Sequence, residues 1–287
     1  MTMTGLPADG IPSVSIVMPV LNPHPVYFRQ AIRSILAQTL SDLELIVVED
    51  PSSSSAGEQL AEFADARIRH LLNPARTSFA AQINRGLHEA RSDLVARFDA
   101  DDVCEPDRLT KQVGHLRAHP LIDVLGSALT IIGPDDRVLG YRRYPLDHEA
   151  IRRAMPRYCP VAHPAVVYRK DAVLKAGGYR VTRYQGTEDY DLWSRLLKDG
   201  LRFANYPEPL VRYRIHPQGM KTAKLREMLR GTLEVKRTYW LEAMDCGGRA
   251  RMWLERLLVW MPSWLVLRLF AATQFTTKKP AGPPSLS

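Results

Sequence analysis

The first 110 residues alternate between two hydrophobic periods, and few architectures accept that pattern. Residues 14–20 (VSIVMPV), 43–48 (LELIVV), Ile68–Leu72 and 94–98 are short apolar runs of the kind that become strands covered on both faces. Between them, residues 26–39, 57–65 and 77–90 read as helices. Phe28, Ile32, Ile35 and Leu36 mark the first at helical spacing, and Phe79, Ile83 and Leu87 the third. Repeated β-α units predict an α/β fold, a mostly parallel central sheet with helices on both faces. Ligands of such sheets bind outside the carboxyl ends of the strands. This chain places Pro19-Val20-Leu21-Asn22, Glu49-Asp50 and Asp99-Ala100-Asp101-Asp102 at those ends.

The later chain is less regular. A helix is expected over 106–119, then strands over Val124–Ile132 and 137–144 joined by Gly133-Pro134-Asp135-Asp136. Residues 162–168 read as a strand, followed by a helical turn and the Gly177-Gly178-Tyr179 break. Glu188–Lys198 reads as a helix with Leu192, Leu196 and Leu197 inward, and 201–205 as a short strand.

Charge narrows the function classes. The 287 residues hold 39 Lys or Arg against 31 Asp or Glu, a formal +8. From residue 221 onward the count is 12 against 5, which leaves 27 against 26 in residues 1–220. The body is nearly neutral, which argues against a nucleic-acid binder. Cys104, Cys159 and Cys246 are too few and too scattered for a disulfide framework or a zinc site. No signal peptide and no apolar run of about 20 residues is evident, so the expected location is cytoplasmic.

Two acidic constellations carry the chemistry. In LVARFDADDV an apolar strand runs straight into three carboxylates. Asp-x-Asp at a strand end can chelate a hard divalent cation that bridges a diphosphate, or it can be a solvated acidic turn. The second, Thr187-Glu188-Asp189-Tyr190-Asp191-Leu192-Trp193, places acids in the first turn of a helix. Helix capping and the macrodipole explain that pattern fully. A carboxylate held there also suits a general base on a hydroxyl, and residue chemistry leaves both readings open.

The motifs VSIVMPVLN, LIVVED, ARFDADDVCEPDRLTKQ, GGYR, TEDYDLW and PLVRYRIHP occur in this order over residues 12–217. Together they resemble inverting glycosyltransferases of family 2. The resemblance implies a GT-A fold over 13–219, with a nucleotide-sugar-binding half (13–104) and an acceptor-binding half (105–219). A flexible N-terminus (1–12) and a basic helical tail (220–287) flank it. It implies that Pro19, Val20 and Asn22 line the nucleoside pocket, that Asp50 contacts the base, and that Asp99 opens the metal cluster. Asp101 is the implied ligand of Mn²⁺ or Mg²⁺ and Asp189 the implied catalytic base, with Glu188 and Trp193 shaping the acceptor side. His216 matches a further metal-ligand position, or is an exposed loop histidine. The implied reaction transfers sugar from a nucleoside-diphosphate sugar to a saccharide or lipid-linked acceptor, in surface polysaccharide or lipopolysaccharide synthesis.

The chain departs from the family in two places. Glu49-Asp50-Pro51-Ser52-Ser53 replaces the usual two Asp, Gly-Ser and later Asp. Ile83-Asn84-Arg85-Gly86 replaces an Arg-Asn pair, which leaves Arg76, Arg85 and Arg97 as candidates for phosphate contacts. Two rival readings are a phosphatase of the haloacid-dehalogenase type, with Asp99 as nucleophile, and a catalytically silent nucleotide-sugar-binding module.

The tail remains separate. Residues 252–272 mix Trp253, Trp260, Trp264 and Phe270 with leucines and arginines, and Pro262 divides them. Such a segment suits an anionic bilayer surface on the inner face of a cytoplasmic membrane, or packing on the body or on another subunit of a homo-oligomer.

Overall fold

The computed structural model describes residues 10–216, 224–262, 264–266, 268–269 and 276–279. Residues 1–9 of the N-terminus expected to be flexible, and Phe270 of the tail, lie outside the described residues.

Three β-α units open the chain: β1 (Ser15–Val20), α1 (Pro25–Leu36), β2 (Glu44–Glu49), α2 (Ala56–Leu60), β3 (Ile68–Leu72) and α3 (Phe79–Glu89). Then come β4 (Leu94–Arg97), β5 (Val103–Cys104), α4 (Arg108–Ala118), β6 (Val124–Ile132), β7 (Val138–Arg142), α5 (His148–Ala154), β8 (Val167–Arg169), α6 (Lys170–Lys175), α7 (Glu188–Lys198) and β9 (Phe203–Arg214). Beyond these lie α8 (Leu225–Val235) and α9 (Cys246–Leu258). One sheet runs β3-β2-β1-β4-β8-β6-β9-β5, with β7 on β6. Pairing is parallel from β3 to β4; antiparallel partners enter at β8, and β6–β9 is parallel again.

The β1 run is continuously apolar because helices cover both faces. Ile16, Met18 and Val20 pack with Phe28, Ile32 and Ile35 of α1, whereas Val17 packs with Ile83 and Leu87 of α3. Gly86 lets α3 approach closely, since a Cβ there would stand 2.5 Å from Val17 Cγ1.

Three expectations change. The helix expected over 57–65 stops at Leu60, and Asp65 accepts from the backbone (2.9 Å) and guanidinium of Arg67 in a local turn that competes with helix. Residues 162–168 are not one strand: a 3₁₀ turn, His163–Ala165, with Pro164 inside it precedes β8. The last strand is 12 residues long rather than the short run over 201–205. Pro207 and Pro209 fall where β9 shifts register against Ser127, Ala128 and Leu129, and these shifts accommodate them.

That longer strand positions the site. Val103 and Cys104 pair with Arg212 and Val211, so the loop Asp99–Asp102 is pinned between β4 and the far end of β9. His216, two residues beyond β9, is thereby carried to the carboxylates.

Candidate active site

Asp99, Asp101 and Asp102 each offer a carboxylate oxygen within 4.8 Å of the others. Each is held differently. Asp99 forms an ion pair with the buried guanidinium of Arg97. Asp102 is fully buried, and its Oδ1 accepts from the backbone N–H of Arg214 at 2.8 Å. Burial pushes the Asp102 carboxyl well above the usual carboxylate range, and Asp101 and Asp99 push it further. Asp101 is the most accessible of the three, and His216 Nε2 sits 2.9 Å from its Oδ2.

Arg214 organises this corner. Its Nε donates to the Asp101 carbonyl at 2.8 Å, and one terminal nitrogen meets Asp136 at 2.7 Å. The other donates to Gln30 at 2.9 Å, and its guanidinium lies 4.3 Å from the ring of Tyr27. Tyr27 in turn contacts the His216 ring at 5.4 Å. The His216 side chain is only 10% exposed, which sets aside the exposed-loop reading.

The residues fit a divalent cation. Among the described residues, Asp102 Oδ2 and His216 Nδ1 are buried without a hydrogen-bond partner. Three clustered carboxylates repel one another, and hard oxygen donors with one imidazole suit Mn²⁺ or Mg²⁺.

The second constellation opens α7. Asp189 Oδ1 accepts from the N–H of Tyr190 at 2.8 Å, and Cys159 Sγ lies 3.9 Å from Oδ2. Glu188 is buried and accepts from the Gly186 N–H at 2.8 Å. Burial raises its pKa, and neighbouring Asp189 adds to the shift. Asp191 is committed to Arg195 (2.9 Å) and to the hydroxyl of Tyr239 (2.6 Å). Trp193, expected to help shape the acceptor side, has its indole wholly buried among His163, Tyr168, Tyr179 and Phe203.

His163 and Tyr179 pack against Trp193 of α7. The His163 ring is 3.0 Å from the Tyr179 hydroxyl, and burial, aided by Arg97, holds the imidazole well below its usual pKa and therefore neutral. Burial first, then Tyr168, raises the Tyr179 phenol; Asp189 adds to the rise and Arg97 opposes it. Both charged groups thus act on one ring.

On the nucleoside side, Pro19 and Val20 are buried at the end of β1, level with Val48 and Glu49 of β2. Asn22 follows with φ of 52°; its N–H donates to Ser52 Oγ, and its Oδ1 accepts from Ser53, both at 3.0 Å. Asp50 is buried with both oxygens engaged: Asn73 Nδ2 at 2.6 Å and the Thr77 N–H at 2.7 Å. Glu49 caps α2 through Ala56 N–H (2.7 Å) and meets His70 at 2.7 Å. Of the arginine candidates, Arg85 donates to the Leu72 carbonyl at 2.9 Å, Arg97 is spent on Asp99, and Arg76 is exposed.

A family model for Glycosyl transferase family 2 matches residues 15–177. The chain belongs to glycosyltransferase family 2. The match spans β1 to the end of α6, so it includes Asp99–Asp102 and stops before Asp189 and His216. The transferase is 32% identical over 218 residues to the O-antigen biosynthesis glycosyltransferase WbnJ of Escherichia coli, covering 74% of this chain and 83% of WbnJ. It is 31% identical over 192 residues to the amylovoran biosynthesis glycosyltransferase AmsE of Erwinia amylovora, covering 66% and 71%. Its fold matches the mannosyltransferase PcManGT of Pyrobaculum calidifontis, solved with GDP-Man and Mn²⁺. The TM-score is 0.60 at 16% identity, over 93% of this chain and 77% of that one. The GT-A-like α/β fold expected from the motifs is thus present, and the phosphatase reading falls with family membership.

Sequence reasoning missed Arg214, His163 and Tyr179 as parts of the site. Arg214 had a signal: in VRYRIH it lies two residues before His216, on the same face of an extended chain. Tyr179 lies in the GGYR motif without a role attached to it, and His163 had no signal; both rings meet Trp193 of α7.

Proposed function

We propose that this transferase moves a sugar, with inversion at the anomeric carbon, from a nucleoside-diphosphate sugar to an acceptor hydroxyl. The observation that carries the reading is the contact of His216 with Asp101 at the carboxyl edge of the sheet. Residues from β4 and from beyond β9 meet there as a ready cation site. The reported contents of PcManGT, a nucleotide sugar and Mn²⁺, support the same reading.

Asp189 takes the proton from the acceptor hydroxyl, whose oxygen attacks the anomeric carbon opposite the leaving group. The Tyr190 N–H fixes Asp189 Oδ1 and so orients the carboxylate. Arg97 holds Asp99, and the Arg214 backbone holds Asp102, so the loop needs no reorganisation when the donor arrives. Asp101 and His216 would hold Mn²⁺ or Mg²⁺, which would supply neutralisation of the charge that develops on the departing nucleoside diphosphate.

Pro19, Val20, Asn22 and Asp50 form the nucleoside end of residues 13–104, with the saccharide or lipid-linked acceptor bound by 105–219 beside Glu188. The names of WbnJ and AmsE support a place in surface polysaccharide or lipopolysaccharide synthesis, in the cytoplasm or peripherally on the inner face of the cytoplasmic membrane. The test is a panel of nucleotide sugars with Mn²⁺ or Mg²⁺, read as thermal stabilisation and donor hydrolysis. At least one donor raises the Tm in a cation-dependent way. A panel in which none stabilises the protein and none is cleaved overturns the reading.

A further inference from the structure

The carboxy-terminal segment presents two unlike faces. Met252 packs on the core cluster that holds Trp193 and Trp240, and Val259 and Val266 are buried. Trp253, Leu257, Trp260 and Trp264 turn the other way, with exposures of 60%, 60%, 81% and 65%. Trp253 and Leu257, four residues apart, share one face of α9, and Trp260 and Trp264 continue the exposed run beyond its end. The body takes up one face of the segment and leaves the more aromatic one in water. An indole offers about 150–250 Å² for burial, so a stripe of three is a surface awaiting a partner.

The partner's chemistry follows from what accompanies the stripe. Arg249, Arg251 and Arg256 share α9, and the Arg256 guanidinium lies 4.4 Å from the Trp253 ring. The acid of that helix, Glu255, is engaged by Lys236 and Arg251. Residues 221–287 carry 12 Lys or Arg against 5 Asp or Glu, so a second copy seated on the stripe would oppose like charges. Indoles at headgroup depth flanked by guanidiniums suit anionic lipid. No helix among the described residues is long and apolar enough to cross a membrane. We infer that Trp253, Leu257, Trp260 and Trp264 seat flat in the headgroup layer of an anionic bilayer.

The seating is keyed to α7. Lys236 pairs with Glu255 of α9, Tyr239 donates to Asp191, and Trp240 Nε1 donates to Ser194 Oγ at 2.9 Å. Gly231 lies so close to α7 that an added Cβ would stand 2.6 Å from Thr187 Oγ1. The bilayer therefore orients the helix whose first turn holds Asp189. This deepens the peripheral placement proposed above and rests on that placement; vesicle binding is read without a transfer assay, so the two readings fail separately.

The experiment floats the full chain with phosphatidylcholine vesicles and with phosphatidylcholine–phosphatidylglycerol vesicles. The protein floats with the anionic vesicles, its tryptophan fluorescence shifts to the blue, and salt releases it. The triple variant Trp253→Ser, Trp260→Ser, Trp264→Ser keeps the wild-type Tm and loses about tenfold or more of the binding. A second variant, Arg249→Gln, Arg251→Gln, Arg256→Gln, loses the preference for anionic lipid. Failure of the wild type to float with either vesicle, or equal flotation of the tryptophan variant, overturns the inference. So does a wild type that is dimeric and lipid-free while the tryptophan variant is monomeric. Flotation without turnover of any nucleotide sugar leaves the docking surface standing and removes the proposed reaction.

Discussion

The two acidic constellations look alike in sequence and differ in how their charge is compensated. In Glu188-Asp189-Asp191, two acids are engaged mainly by near neighbours: Glu188 by the Gly186 N–H, and Asp191 by Arg195 of the same helix, with the distant Tyr239 hydroxyl added. That constellation is mostly helix architecture, with Asp189 set at its start. In Asp99-Asp101-Asp102, compensation comes partly from the adjoining strand and partly from far along the chain, and stays incomplete. Arg97 meets Asp99, the Arg214 backbone meets one oxygen of Asp102, and His216 covers Asp101. A buried oxygen and a buried imidazole nitrogen remain without partners among the described residues. Acids whose oxygens are all engaged build structure, whereas the Asp99-Asp101-Asp102 cluster keeps a carboxylate oxygen without a partner among the described residues, as the proposed cation site requires.

The sharpest way to break this contrast is Asp189→Asn. Transfer falls by about 10²–10⁴-fold while donor-induced stabilisation persists, because only proton removal is lost. Turnover near wild type with the same donor would take Asp189 out of the base role. Asp101→Asn comes next. It lowers transfer by about 10²–10³-fold, and a Tm that no longer responds to Mn²⁺ distinguishes it from the Asp189 variant. Retention of the full Mn²⁺ response would deny Asp101 its place as a ligand. His216→Gln weakens Mn²⁺ binding by about 10–100-fold, measured by titrating cation against turnover. An unchanged titration curve would mean that His216 is only a packing residue.

The smallest expected effect belongs to an acid outside both constellations. Burial alone would raise the pKa of Glu44, but hydrogen bonds from Ser15, from the Arg91 backbone and from the Arg69 and Arg91 side chains outweigh it. The folded-state pKa therefore lies below the ordinary 4.5. Its contribution is fully present above the unfolded value and is lost as pH falls through the lower folded value. Glu44→Gln costs about 1–3 kcal/mol at pH 7, and the gap to wild type narrows in acid. Tm measured against pH checks this, and a gap constant down to strongly acidic pH contradicts it.

Much of the amino-terminal half was legible because its signals are local. Apolar runs covered on both faces have no polar alternation, and α1 and α3 carry their periodicity within about three turns. The second half was less legible for equally physical reasons. Two prolines in β9 mimic a turn until β6 supplies the partner whose register shifts accommodate them. Residues 162–168 hide a 3₁₀ turn because Pro164 sits in an otherwise apolar run. The family resemblance implied that Trp193 helps shape the acceptor side, and only packing shows its indole enclosed.

The tail divides in the same way. Composition indicated a basic, tryptophan-rich segment and left its partner open between a bilayer, the body and another subunit. Packing answered by face, with Met252, Val259 and Val266 against the body and the tryptophan stripe outward.

The sequence by itself determined the β-α order, the edge at which polar groups collect and the residues that carry the family resemblance, because each is written within a few turns of chain. Only the tertiary structure decided which of those residues act together. Asp101 and His216 are 115 residues apart and meet because β5 pairs with the end of β9. No local period encodes such a meeting; it follows from strand register, which is fixed only when the whole sheet forms.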